Sequence, residues 1–439
     1  MKSQPIVIPV CVLIVLAAAT ALPAVLHPTT PLEKKIQALT DKLTPELIAI
    51  RQDIHCHPEL GLQLPRTSAI VADYFRKLGL EVRTGFAESG VLGILRGGKP
   101  GPVVAMRGDM DALPITEETD LPFASKDRTI LDGREVGLMH ACGHDIHTTM
   151  LLGVAAVLAE IKAELPGTVL FVAQPGEECC DGAKQLIADG VFKDIVPEAV
   201  FAYHVDDTLK AGKIGYTSGF MTANVDGFTL EIKSDGCHGA NPNLCVDPIV
   251  VGAQIVIALQ VMVSREIGVH DNTVITVGSF HAGSAPNIIP RSAKLEATVR
   301  NYGEGQRKIL QDKITRLVSN ICEAAGASYD LNYQFSTASV YNDPALVLEA
   351  LSTAERVLGG KSALVEEKPE MGGEDFSTFG TVSPAAMFNL GVIPPDRDTT
   401  SVHSPAFVAD EACIPIGVNL MANIIMDHQM KPAKNPKKK

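Results

Sequence analysis

The chain alternates short apolar runs with stretches of helical spacing, and that rhythm constrains its fold more than any other feature. Val91 to Leu95, Val103 to Met106, Val169 to Ala173, Val200 to Tyr203 and, much later, Ala385 to Leu390 read as strands. Pro31 to Leu80, Thr148 to Ile161 and Ala183 to Ala188 read as helical. Strands separated by helices imply an α/β fold with a mostly parallel sheet flanked by helices. In such sheets ligands bind beyond the carboxyl ends of the strands, so the residues just after each run are where chemistry is expected.

The middle of the chain has another rhythm. Asp226 to Ser234 reads as a strand, Val246 to Val263 as a helix, Val274 to Phe280 and Lys294 to Asn301 as strands, Glu304 to Ala324 as a helix, and Tyr329 to Phe335 as a strand. The order βαββαβ is the ferredoxin-like unit. A chain of 439 residues exceeds what one core usually holds. We therefore expect an inserted domain over residues 215–332, dividing a catalytic domain into 32–214 and 333–430.

Lys2, the apolar run from Ile6 to Leu16 and the small residues Ala17 to Ala21 have the form of a secretory signal, expected over residues 1–21. Export to the periplasm or medium follows. The rival is an uncleaved membrane anchor, because apolar character continues to Leu26. Residues 431–439 form a basic, Pro-interrupted tail expected to be solvated. The net charge of -13 argues against nucleic acid or an anionic membrane as the main partner. Of nine cysteines, Cys11 lies in the signal. The others show no spacing of a disulfide framework, so they are expected to pack as small hydrophobes, with Cys142 the exception.

Metal-competent side chains follow the expected strands in succession. Asp109 and Asp111 follow the second, Cys142 and His144 precede a helix, Glu177 and Glu178 follow the third, and His204 closes the fourth. His403 comes after the last strand. Cys142 and His144 would project from one face of an extended segment, while Glu177 and Glu178 would point opposite ways, one to an ion and one to a bound water. Thiolate, imidazole and carboxylate together suit zinc or a neighbouring transition metal. Five donors exceed a closed structural site and indicate a paired catalytic one.

These motifs carry a resemblance. Arg107-Gly-Asp109-Met-Asp111-Ala-Leu-Pro114, Met139-His-Ala-Cys142-Gly-His144-Asp145, Gln174-Pro-Gly-Glu177-Glu178, Asn287-Ile-Ile-Pro290, Met371-Gly-Gly-Glu374-Asp375-Phe376 and His403-Ser-Pro405 resemble dinuclear metallopeptidases of the aminoacylase and carboxypeptidase type. The subgroup is that of hippurate hydrolases and plant auxin-conjugate hydrolases, and the likeness runs from about residue 45 to 427. It implies a zinc-exopeptidase-like catalytic domain. It also implies Cys142, His144, Glu178, His204 and His403 as ligands of two divalent ions, manganese or zinc first and cobalt or nickel also accommodated. Glu177 becomes the general base, His238 in Cys237-His238-Gly239-Ala240 the residue that polarises the carbonyl, and Asn287 and Arg300 residues that face substrate. Because His238 falls in the inserted domain, domain closure would assemble the site.

The chain departs from the subgroup at three places. Val205-Asp206-Asp207 replaces Trp-Pro after His204, which would make one pocket wall acidic. Asn243 replaces a second histidine, and Cys179 and Cys180 replace small residues beside Glu178. Those cysteines read either as space-filling or as redox-sensitive or metal-binding thiols. His55 and His57 read as structural, Asp109 and Asp111 as metal contacts or as groups orienting His144 or loop backbone. The expected activity is hydrolysis of the amide bond of N-acyl amino acids to a carboxylate and a free amino acid. The alternatives are a dipeptidase or carboxypeptidase, favoured by the Asp206-Asp207 wall, and a non-catalytic metal-bound binding protein, disfavoured by Glu177. A homodimer through the inserted domain is expected from its sheet edge or helix pair.

Overall fold

The computed structural model describes residues 27, 29–394 and 400–431, so the expected signal and the tail beyond Lys431 lie outside the described residues. Its larger sheet has eight strands, in the order Glu81–Phe86, Gly90–Arg96, Pro166–Gln174, Lys99–Asp109, Ala199–Lys210, Ala385–Ile393, Ile214–Tyr216 and Leu364–Glu366. The four strands from Pro166–Gln174 to Ala385–Ile393 run parallel, whereas Gly90–Arg96 and Ile214–Tyr216 join them antiparallel. The apolar runs are continuous because both faces are covered. Val169, Phe171 and Ala173 enter one core while Leu170 and Val172 enter the other.

Helices Pro31–Cys56, His144–Glu160, Pro344–Val357 and Cys413–Gln429 cover the first face. Gly182–Ala188 and the short helix Asp375–Thr381 cover the second. The stretch from Pro31 to Leu80 is not one helix. It breaks after Cys56, where Pro58 cannot continue the ladder, and restarts at Pro65 with proline in the first turn.

A smaller antiparallel sheet has the order Val274–Ala282, Ser292–Asn301, Asn224–Lys233, Ser328–Phe335. Helices Pro248–Arg265 and Glu304–Ala325 pack on it around a separate core that includes Leu230, Ile255, Leu295 and Ile314. The connectivity is βαββαβ. Ile214–Tyr216 belongs to the large sheet and Ser328–Phe335 runs past residue 332, so this smaller sheet is drawn from residues 224–335. Helix Pro248–Arg265 is long and apolar enough to cross a membrane, yet Val251, Ile255 and Leu259 are packed in the small core. Its other side leaves Val250, Ile257 and Val261 exposed.

Candidate metal centre

Cys142 and His144 do not lie on extended backbone. The chain turns at Gly143, whose φ is +76°, and His144 is the first residue of helix His144–Glu160. A Cβ at Gly143 would come 2.7 Å from Val205 Cγ2, so both the left-handed backbone and the close approach require glycine. Across the site His403 also has a positive φ, 63°, which is costly for a residue with a Cβ. Its N–H donates to the Ala141 carbonyl at 2.8 Å, tying the segments of His403 and Cys142 together. His204 does not close its strand either; it sits inside Ala199–Lys210, opposite Asn389.

The five expected ligands converge. Cys142 Sγ lies 3.4 Å from His204 Nε2, and Glu178 Oε1 lies 3.3 Å from His403 Nε2 and 3.8 Å from His144 Nε2. Donor atoms of Cys142, His144 and His204 fall within 4.8 Å of one another, as do those of Cys142, Glu178 and His403. His204 Nδ1 donates to the Val205 carbonyl at 2.7 Å, which leaves Nε2 with its lone pair toward Cys142. Both ring nitrogens of His144 are buried without a hydrogen-bond partner. Burial pushes the Cys142 thiol well above its ordinary value, so nearby positive charge is needed to hold it as thiolate. Orphaned imidazole nitrogens beside a thiol and a carboxylate fit divalent cations.

Glu177 and Glu178 lie in a turn after strand Pro166–Gln174, not on extended backbone. Their N–H groups both donate to Asp111, at 3.1 Å each. Asp111 is thus a backbone anchor, and its Oδ1 also lies 3.4 Å from His144 Nδ1. Among the described residues the Glu177 carboxylate makes no hydrogen bond or ion pair, and burial together with Glu374 pushes its acidity well below that of a free glutamic acid. Glu374 caps the short helix Asp375–Thr381, and both Glu374 and Asp375 are held by the buried Arg107 guanidinium.

Glu177, Glu178, Cys142, His204, His403 and Arg300 line one cleft of about 530 Å³. His238 and Asn287 are not in it. They share a separate surface pocket, where His238 Nδ1 accepts the Ala240 N–H and Gly239 N–H donates to the Asn287 carbonyl. Nor does the expected acidic wall form. Asp206 accepts the Thr208 N–H and hydroxyl within its own strand, Asp207 accepts the Val402 N–H, and neither lines the cleft. Glu370 lines the cleft instead.

Two readings of the cysteines need correction. Cys179 is bonded to Cys180 and Cys237 to Cys245, although no spacing pattern announced either bridge. His147 is a residue the sequence reading missed. Its Nδ1 sits 2.6 Å from Asp109 and its Nε2 accepts the Val205 N–H, so it ties the Asp109 strand end to the His204 strand. The available signal was the i, i+3 spacing from His144 on one helix face. His55 is structural as expected, bonded to Asp145 and Glu117.

Residues 105–427 match peptidase family M20/M25/M40. An N-acetylcysteine deacetylase of Bacillus subtilis is 36% identical, the match covering 86% of this chain and 95% of that protein. The IAA-amino acid hydrolase ILR1-like 4 of Arabidopsis thaliana is 36% identical over 86% of this chain and 84% of its own length. Among solved structures, the Bacillus subtilis YXEP protein, described as a dinuclear metal-binding peptidase, superposes with a TM-score of 0.76 at 32% identity, covering 88% of this chain and 98% of that one.

Proposed function

This chain belongs to peptidase family M20/M25/M40 and is a hydrolase of amide bonds, and from that premise we propose that it cleaves N-acyl amino acids to a carboxylate and a free amino acid. The observation that carries the reading is the division of the glutamate pair. Glu178 lies against His144 and His403, while the neighbouring Glu177 carboxylate faces the same cleft without a protein partner among the described residues.

Cys142, His144, Glu178, His204 and His403 would hold two divalent cations, zinc or manganese in the first place. Such ions supply Lewis acidity and a water of lowered pKa. Glu177 takes a proton from the attacking water and delivers it to the leaving nitrogen, a role suited to a carboxyl whose proton affinity burial has raised. Arg300, which lines the cleft and has no ion-pair partner among the described residues, receives the substrate carboxylate. His238 donates to the developing oxyanion once the small unit around residues 224–335 moves toward the cleft. The dipeptidase alternative loses the support of Asp206 and Asp207, and retains Glu370, which lines the cleft outside the glutamate pair and the Arg107 cluster.

The exposed apolar side of helix Pro248–Arg265 suits a second copy of the chain, so a homodimer through the small unit belongs to this reading. Export by the N-terminal apolar segment belongs to it too. The test is a panel of acetyl, benzoyl and indole-acyl amino acids set beside free dipeptides, run on protein of measured metal content. Acyl amino acid hydrolysis with two ions per chain is expected. Hydrolysis of dipeptides alone would replace the proposal with the alternative.

A further inference from the structure

The two cysteines after the glutamate pair are joined to each other, giving a disulfide between sequence neighbours. We propose that the Cys179–Cys180 bridge is a redox-active modification site: closed, it holds the catalytic turn in working shape, and opened by a dithiol it switches hydrolysis down. The inference rests on the roles given above to Glu177 and Glu178.

The turn is closed on one carbonyl. Gly176 O accepts the N–H of Cys180 at 3.2 Å and of Gly182 at 3.1 Å, so the glutamate pair lies inside a loop whose exit is the bridge. A disulfide between neighbours closes an eight-membered ring around their shared peptide and removes rotational freedom from both residues. The sulfurs face Gly61, where a Cβ would lie 3.4 Å from Cys179 Sγ and 3.7 Å from Cys180 Sγ. The next residue, Leu62, packs over Gly176, and Glu59 O accepts the N–H of Ala112, neighbour to Asp111. Asp111 in turn holds the N–H groups of Glu177 and Glu178. Bridge, loop Glu59 to Leu62 and Asp111 therefore form one closed circuit around the pair, and opening the bridge releases it at its most accessible point.

Access favours this bridge as a target. Cys179 is exposed and Cys180 half-buried, whereas Cys142, Cys322 and Cys413 are buried thiols. Exposed disulfides are the labile and regulatory ones. In the step, a thiolate of the reductant attacks Cys179 Sγ, the S–S bond breaks, and Cys180 leaves as thiolate and takes a proton. The reductant's second thiol then displaces Cys179 from the mixed disulfide. The dithiol ends as a disulfide, and two electrons and two protons have passed to the protein.

The full chain, loaded with metal and oxidised, is compared with the same protein treated with dithiothreitol and desalted. Iodoacetamide labelling with mass spectrometry counts thiols at 179 and 180, metal content is measured, and amide exchange is followed over residues 176–182. Reduction is expected to lower kcat/KM about tenfold or more, to speed exchange in 176–182, to leave metal content unchanged, and to reverse with oxidised glutathione. The double variant Cys179→Ser/Cys180→Ser is expected to stay at the reduced level and ignore dithiothreitol. The proposal is overturned by unchanged activity and exchange once labelling shows both thiols free, by a loss that tracks metal removal, or by a double variant that still responds, which would place the switch at Cys237–Cys245. If no acyl amino acid is hydrolysed, the functional reading fails while labelling and exchange still decide the bridge.

Discussion

Asp111 accepts the backbone N–H groups of both Glu177 and Glu178, so one carboxylate fixes the turn that carries two neighbouring carboxylates. Asp111→Ala removes both acceptors and a group 3.4 Å from His144 Nδ1. Steady-state kinetics should show activity reduced roughly 10- to 100-fold. Asp111→Asn, which keeps one acceptor oxygen, should fall between this variant and the wild type.

Arg107 is fully buried and serves three carboxylates, Asp109, Glu374 and Asp375, while its Nε donates to Gln174 at 2.9 Å. Arg107→Met leaves buried negative charge uncompensated beside the site. Urea denaturation should register a loss of about 3–5 kcal/mol. Lysine should rescue little of it, since one ammonium cannot reproduce the planar fork.

Glu33 gives a pH signature far from the cleft. Burial alone would raise its pKa, but the Thr30 N–H, the Arg356 guanidinium and Thr29 outweigh that and bring it down to about 2. A carboxylate depressed on folding contributes stability above its unfolded pKa and loses it as pH falls through the folded one. Wild type should therefore lose about 2 kcal/mol relative to Glu33→Gln between pH ~4.5 and ~2, read from urea midpoints. Parallel curves for the two proteins would contradict the pairing.

Ligand and non-ligand histidines should separate in metal analysis. His204→Ala and His403→Ala, like Cys142→Ala, should lower the metal content of purified protein. His238→Ala should hold both ions, because its pocket lies apart from the cleft, and should lose turnover, because movement of the small unit brings His238 to the substrate.

The sequence made the sheet legible because its central strands are buried on both faces and so read as unbroken apolar runs, as at Val169 to Ala173. The candidate ligands Cys142, His144, Glu178 and His403 were legible because each stands in a local motif, whereas His204, whose neighbours depart from the subgroup, was marked only by its place after an apolar run. Other features arise only when distant segments meet. Arg107 finds Glu374 across 267 positions, and no local pattern marks that pair. Asp206 and Asp207 carried the right charge for a substrate wall, but Asp206 turns to Thr208 in its own strand and Asp207 to the distant Val402 N–H. Cys237 and Cys245 sit eight residues apart, a spacing that becomes a bridge only because a short 3₁₀ turn at Pro242–Leu244 folds the loop back.

The most direct measurement is Glu177→Gln assayed for metal content and turnover on the same sample. The variant keeps the size of the side chain and all five candidate ligands, and removes only the group able to accept the water's proton. Two ions per chain with nearly all hydrolysis lost, across the whole pH range, is the predicted result. Substantial activity retained with both ions bound would contradict the division of labour between Glu177 and Glu178.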